Sequence, residues 1–154
     1  MLFLGNKSFG QDSLNKIFES SKGTWSLPLK KYLYIEDNEQ MKHYTAYQFD
    51  STLRIVTDSL YSISAVHDGE IVILFSENNN TIIVTQFGDY YLTYWNLSKT
   101  DLKVGDKIIK GQVIGKIFSY YNSNTIRFDI SLQKNYKELC AEKWFDRKQL
   151  KFEK

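Results

Sequence analysis

Histidine and cysteine, the side chains most often used to hold zinc, are scarce in this 154-residue sequence: two histidines, His43 and His67, and one cysteine, Cys140. A single cysteine excludes an internal disulfide and a cysteine-rich metal site. His43 lies in a polar segment and His67 beside Asp68-Gly69, so both read as surface or loop residues rather than ligands. Aromatic residues are abundant, with 11 Tyr, 10 Phe and 3 Trp. They suit either a carbohydrate-stacking surface or a β core, and the composition favours the core because Tyr and Phe fit pleated, half-buried surfaces. Twenty basic and 18 acidic side chains, scattered along the chain, leave a net charge of +2 and give no electrostatic case for nucleic acid. No stretch is long and apolar enough to span a bilayer, and Met1-Leu2-Phe3-Leu4 is too short for a signal-peptide core. The start of the chain reads equally as the remnant of an export signal or as a disordered terminus.

The elements that must position any site are mostly strands. Residues 12–21 carry a short helical pattern, with Leu14, Ile17 and Phe18 on one stripe, Asp12 or Ser13 as N-cap and Gly23 as a stop. Trp25 to Leu29 reads as extended chain around the only proline, Pro28. Strand-length runs rich in β-branched and aromatic residues follow at 31–35, 53–57, 61–66, 70–75, 81–87 and 90–95. Asp68-Gly69 is a hairpin signal, Asn78-Asn79-Asn80 a loop, Gly88-Asp89 a tight turn and Asn122-Ser123-Asn124 another. Close spacing without intervening helices predicts an all-β fold, mainly antiparallel, as a sandwich or barrel-like arrangement. Tyr136 to Phe145 reads as a short C-terminal helix, and the charged tail after it as solvated.

The most specific stretch is Leu92 to Ile117, LTYWNLSKTDLKVGDKIIKGQVIGKI. Locally it is a strand followed by two hairpin corners, at Gly105-Asp106 and Lys110-Gly111, with Ile108, Val113 and Ile117 as core contacts. The phrase resembles the C-terminal half of the LytM/lysostaphin-type peptidoglycan endopeptidases. The likeness continues at Ala65-Val66-His67-Asp68-Gly69-Glu70-Ile71, at Thr125-Ile126-Arg127-Phe128-Asp129-Ile130 and at Ala141-Glu142-Lys143-Trp144-Phe145, with Lys22-Gly23 and Leu27-Pro28-Leu29 as a similar lead-in. It covers about residues 22–146 and is strongest over 61–130. Biotinyl and lipoyl domains share part of the phrase, but they need a modifiable lysine in a Met-Lys-Met-like context, and none is present. The resemblance implies a β sandwich or barrel-sandwich hybrid core over residues 31–146, an N-terminal extension with a short helix over 1–30 and a tail over 147–154. It also implies a place in the bacterial cell envelope, periplasmic or extracellular.

A family enzyme holds Zn²⁺ with a His and an Asp from one motif and the second His of a His-x-His pair. A further His lies in the segment that corresponds here to Tyr94-Trp95-Asn96-Leu97. Three protein ligands leave a position for water, whose pKa the metal lowers to about 7. At the matching positions this sequence has Asp50 and Arg54, then Thr125 and Arg127, and Asn96. Three histidines are required and two exist; cations at ligand positions also repel a metal. The resemblance therefore implies a domain with no catalytic residues, no metal and no cofactor. Two uses of the vacated site stay open. Asp50, Arg54, Arg127 and Asp129 could close into an ion-pair network. Alternatively, Arg54 and Arg127 could bind an anionic group in a groove that Tyr94, Asp129, Tyr120 and Tyr121 help to line. The functional expectation is a binding or regulatory module in cell-wall remodelling, with a cell-wall hydrolase or peptidoglycan as partner. The alternatives are an active zinc enzyme rearranged around Asp50, Asp129 and either His43 or His67, and a purely structural domain of an envelope complex.

Overall fold

A computed structural model describes residues 8–37, 51–119 and 123–154. His43, Asp50, Tyr120 and Tyr121 lie outside the described residues. Among the described residues a helix, α1 (Ser8–Ser20), precedes ten strands: β1 (Tyr34–Ile35), β2 (Leu53–Thr57), β3 (Ser62–Ser64), β4 (Gly69–Glu77), β5 (Asn80–Phe87), β6 (Tyr90–Leu97), β7 (Lys107–Ile108), β8 (Val113–Lys116), β9 (Ile126–Lys134) and β10 (Lys137–Leu139). Eight of them form one antiparallel sheet in the order β1-β2-β9-β6-β5-β4-β7, with β10 folded back on β9, while β3 and β8 form a separate pair. This is the mainly antiparallel all-β architecture that the strand-length runs predict.

Alternation sets the two faces of the large sheet. In β9, Ile126, Phe128, Ile130 and Leu132 are buried, whereas Arg127 is exposed and Asp129 and Ser131 half-buried. The buried set joins Leu53 and Ile55 of β2, Leu92 and Tyr94 of β6, Ile83 of β5 and Ile71 of β4 in one core. Phe18 of α1, Trp25, Ile63, Ile114, Trp144 and Phe145 belong to the same core.

The helix docks by a different stripe from the one its apolar spacing predicts. Phe18 is buried, but so is Asn15, while Leu14 and Ile17 are exposed. The reason is a polar clasp on the β5–β6 turn. Asn15 Nδ2 donates to Asp89 Oδ2 at 2.7 Å and Asn15 Oδ1 accepts from the Asp89 N–H at 2.8 Å; Gln11 Nε2 donates to Asp89 Oδ1 at 2.8 Å. Gly88 at that turn has φ +60°, and a Cβ there would lie 2.3 Å from Asn15 Oδ1, so only glycine admits the helix.

Other expectations give way to tertiary pairing. The run at 31–35 contributes only Tyr34 and Ile35 as strand. Asp68-Gly69 does not close a β3–β4 hairpin, because β3 pairs with β8 and β4 with β5 and β7; Asp68 Oδ1 instead accepts from the Lys110 N–H at 2.7 Å. Val113 is exposed and its neighbour Ile114 fills the core position. The segment 136–145 yields β10 and a 3-10 turn, Ala141–Trp144, rather than an α-helix. The charged tail packs: the Ile35 N–H donates to Lys151 O at 2.7 Å, the Glu153 N–H to Ile35 O at 3.0 Å, and Tyr32 Oη donates to Gln149 O. Cross-chain backbone bonds win over charge in that stretch, since Ile35 is buried and its polar groups need partners.

Candidate functional site

Arg54, Arg127 and Asp129 lie on the face of the sheet turned away from the core, at the β2–β9 end. Arg54 and Asp129 are direct cross-strand partners, and Trp95 of β6 pairs with Asp129 from the other side. Arg54 Nε donates to Asp129 Oδ1 at 3.1 Å and Oδ2 at 3.3 Å, and one of its terminal nitrogens donates to Asp129 Oδ2 at 3.2 Å. A second carboxylate completes the cluster. Glu36, the residue after β1, accepts from Arg54 Nη1 through Oε2 at 3.3 Å and from Arg127 Nε through Oε1 at 2.6 Å. Its side chain is 8% exposed, so it is a nearly buried acid bridging two guanidinium groups. Among the described residues two cations and two anions meet here, and such pairing offsets the cost of holding charge in a partly desolvated place.

Electrostatics follow from that packing. Burial opposes the charge on Arg54, but the bonds and charges of Asp129 and Glu36 outweigh it and hold its pKa above the usual guanidinium value. Burial pushes the Asp129 carboxyl above the ordinary carboxylate range, and Glu36 adds to this while Arg54 pulls it back.

Of the residues the sequence singles out, the structure brings Arg54, Arg127 and Asp129 together, Asp50 lies outside the described residues, and Glu36 is a member that sequence reasoning misses. Glu36 corresponds to no motif position; the signal available was an acid directly after a strand end, opposite two arginines in need of counter-charge. Thr125 stays outside the cluster: it is exposed, just ahead of β9, and its backbone turns onto the Ser123 hydroxyl. Asn96 is a structural joint. Its backbone has φ 64°, a conformation asparagine tolerates, and its Nδ2 donates to Phe118 O at 2.9 Å and Arg127 O at 2.5 Å. Tyr94 does not line a groove. It is fully buried, its Oη accepts from the Val66 N–H at 3.0 Å, and burial raises its pKa far above the phenol value. The side chain that reaches the open face is the next one, Trp95, whose Nε1 donates to Ser131 Oγ at 3.0 Å. His67, expected at the surface, is buried instead between Phe18 and Phe87, with ring centroids 4.4 and 4.8 Å away. That desolvation lowers its pKa below 6.5.

The described residues at this site do not fit a zinc ion. Guanidinium groups offer donors only, the Asn96 amide nitrogen is committed to two carbonyls, and both carboxylates already serve arginines. Among the described residues no group of three or more His, Cys, Asp or Glu could hold a metal.

Beyond Asp129 the same face turns apolar. Trp95 is followed by Ile82 across an irregularity in the β5–β6 register, and Phe75 of β4 pairs with Ile82. Ile73 pairs with Val84 in the next row. Trp95, Ile73 and Phe75 are exposed, at 41%, 54% and 55%.

Comparison with known proteins places this geometry. Chains of similar structure include Csd3 of Helicobacter pylori, with TM-score 0.60, 14% identity and coverage of 87% of this chain and 40% of Csd3. Lysostaphin in solution matches with TM-score 0.51 and 21% identity over 73% of this chain and 44% of lysostaphin. A chain from the complex of SpoIIIAH and SpoIIQ matches with TM-score 0.52 and 18% identity over 76% of this chain and 90% of that one. At such identities the likeness is one of fold, and this chain spans less than half the length of Csd3 and lysostaphin. No curated protein matches the sequence. The sequence profile of Peptidase family M23 matches residues 48–139, more than half of the chain, and the chain belongs to that family.

Proposed function

We propose that this M23 domain does not cut peptide bonds and acts by binding, as a regulatory module in bacterial cell-wall remodelling, in the periplasm or outside the cell. The observation that carries the reading is the Glu36-bridged pair Arg54 and Arg127 at positions where a family enzyme would need metal ligands. Guanidinium groups offer donors only and both carboxylates already serve arginines, so these residues supply no ligand set for a metal that would polarise water. The partner is peptidoglycan or a cell-wall hydrolase; the fold likeness to a chain solved in a two-protein complex is in keeping with a protein partner. No helix of the described residues is long and apolar enough to cross a membrane.

The test is metal analysis of protein purified without chelator, a turbidity assay on cell walls, sedimentation with purified sacculi and capture from envelope extract. Expected are no stoichiometric zinc, no clearing, and retention on sacculi or capture of a hydrolase. Stoichiometric zinc with clearing would establish an active, rearranged enzyme. Neither wall binding nor a hydrolase would reduce the domain to a structural part.

A further inference from the structure

We infer that the open face of the large sheet reads the free C-terminal carboxylate of a short apolar peptide, with Arg127 taking the carboxylate and Trp95, Ile82 and Phe75 the side chains. The inference rests on the reading above that the domain works by binding, and it names the ligand's chemistry.

Arg54 and Arg127 are used differently. Arg54 is 17% exposed and spends its donors on Asp129 and Glu36. Arg127 is 58% exposed and gives only Nε, to Glu36; its two terminal nitrogens have no partner among the described residues. Glu36 is itself held by Arg54, so the acid that orients Arg127 is fixed. The result is a guanidinium with a set plane and a free two-pronged edge. That edge matches a carboxylate in bidentate geometry, and its orientation lowers the ordering cost of binding.

What lies beside Arg127 defines the rest of the ligand. From β9 the face crosses β6 and β5 to β4, three strand spacings of about 4.8 Å, or roughly 14 Å, along a row that starts level with Asp129, two residues along β9 from Arg127. An extended peptide covers that distance in about four residues at roughly 3.3 Å each. Along the path stand Trp95, Ile82 and Phe75, with Ile73 and Val84 alongside. Asp129, the acid nearest Arg127 on β9, is occupied by Arg54 and so does not compete for the free edge. A sugar would leave the Ile and Phe side chains unmatched. A long acidic polymer would find one free guanidinium beside an apolar field. A terminal carboxylate on a run of apolar residues satisfies both ends.

The experiment titrates the full chain with N-acetylated Leu-Ala-Leu-Ala, as the free acid and as the C-terminal amide, by tryptophan fluorescence and calorimetry. Trp25 and Trp144 are buried, so Trp95→Phe assigns the optical signal. The expected result is saturable binding of the acid and at least about tenfold weaker binding of the amide, the scale of one charge-assisted contact. Arg127→Gln should remove the preference for the acid, whereas Phe75→Ser should weaken both peptides alike. Equal binding of acid and amide, or an Arg127→Gln protein that still prefers the acid, overturns the inference. So does acetate alone competing as well as the peptide. If sacculi or a hydrolase bind and the free acid does not, this inference falls and the binding reading stands; if nothing binds, both fall.

Discussion

Consecutive residues of β9 live in different worlds. Phe128 is fully buried, in contact with the core that every element of the described fold helps to build. Arg127 points the other way, more than half exposed, and joins a cluster of four charges. One face is constrained by volume, because interior side chains pack at crystal-like density and feel a single methylene. The other is constrained by charge balance and by whatever it touches. This difference shows how Arg54 and Arg127 can sit on the sheet without disturbing its core: both side chains are on the face the core does not use. It also sets which changes should be severe and which silent.

The largest effect expected is Phe128→Ala, at about 3–5 kcal/mol of lost stability, from lost transfer energy and a cavity that neighbours on β2 and β6 cannot fill. Denaturant unfolding measures it directly. A loss below about 1 kcal/mol would mean that the core face tolerates rearrangement and is not the rigid side of the comparison.

Glu36→Gln is expected to cost about 1–3 kcal/mol, more than an ordinary surface ion pair but less than a fully buried one, because Arg127 is open to water. The change keeps shape and removes the charge that two guanidinium groups share. A cost near that of removing the exposed Lys134–Glu19 pair would place the whole cluster in the surface class.

Acid separates the two sides by sign. His67 has a lowered folded pKa through burial, so protonation favours the unfolded chain, and stability falls as pH drops from about 6.5 towards the folded value. Asp129 has a raised folded pKa through burial, so its protonation favours the folded state at lower pH. Thermal melts from pH 7.5 to 5.5 should show a declining midpoint in the wild-type protein and a flatter profile in His67→Phe and His67→Gln. Equal slopes in all three would mean that the His67 ring reaches water.

Legibility in the sequence divides along the same line. Runs such as 53–57 and 81–87 are rich in β-branched residues, and that local signal survives into β2 and β5 with little change. The docking stripe of α1 is illegible because Asn15 is chosen by a turn 74 positions away. Asp68-Gly69 reads as a hairpin from local chemistry, but pairing partners are set by the whole core. At the site, the sequence singles out Arg54, Arg127 and Asp129, and the structure places them together. Glu36 is not singled out, since its role exists only when β1 comes to lie beside β2. Tyr94 and Trp95 show the sharpest limit: with a period of two, one residue of offset moves an aromatic from the open face to the core.

Arg127→Ala should produce the smallest change in stability, within about 0.5 kcal/mol, as for most exposed positions. Its partner Glu36 keeps Arg54, so removing Arg127 does not strand a buried charge. The lost side chain is 58% exposed, so water can replace most of it. If the change instead costs more than about 1.5 kcal/mol, Arg127 is a structural member and the open face is as closed as the core. If stability holds while retention on sacculi or capture of a hydrolase is lost, the same substitution separates holding the fold from using it. A stable variant that keeps every binding activity would assign those activities to another surface.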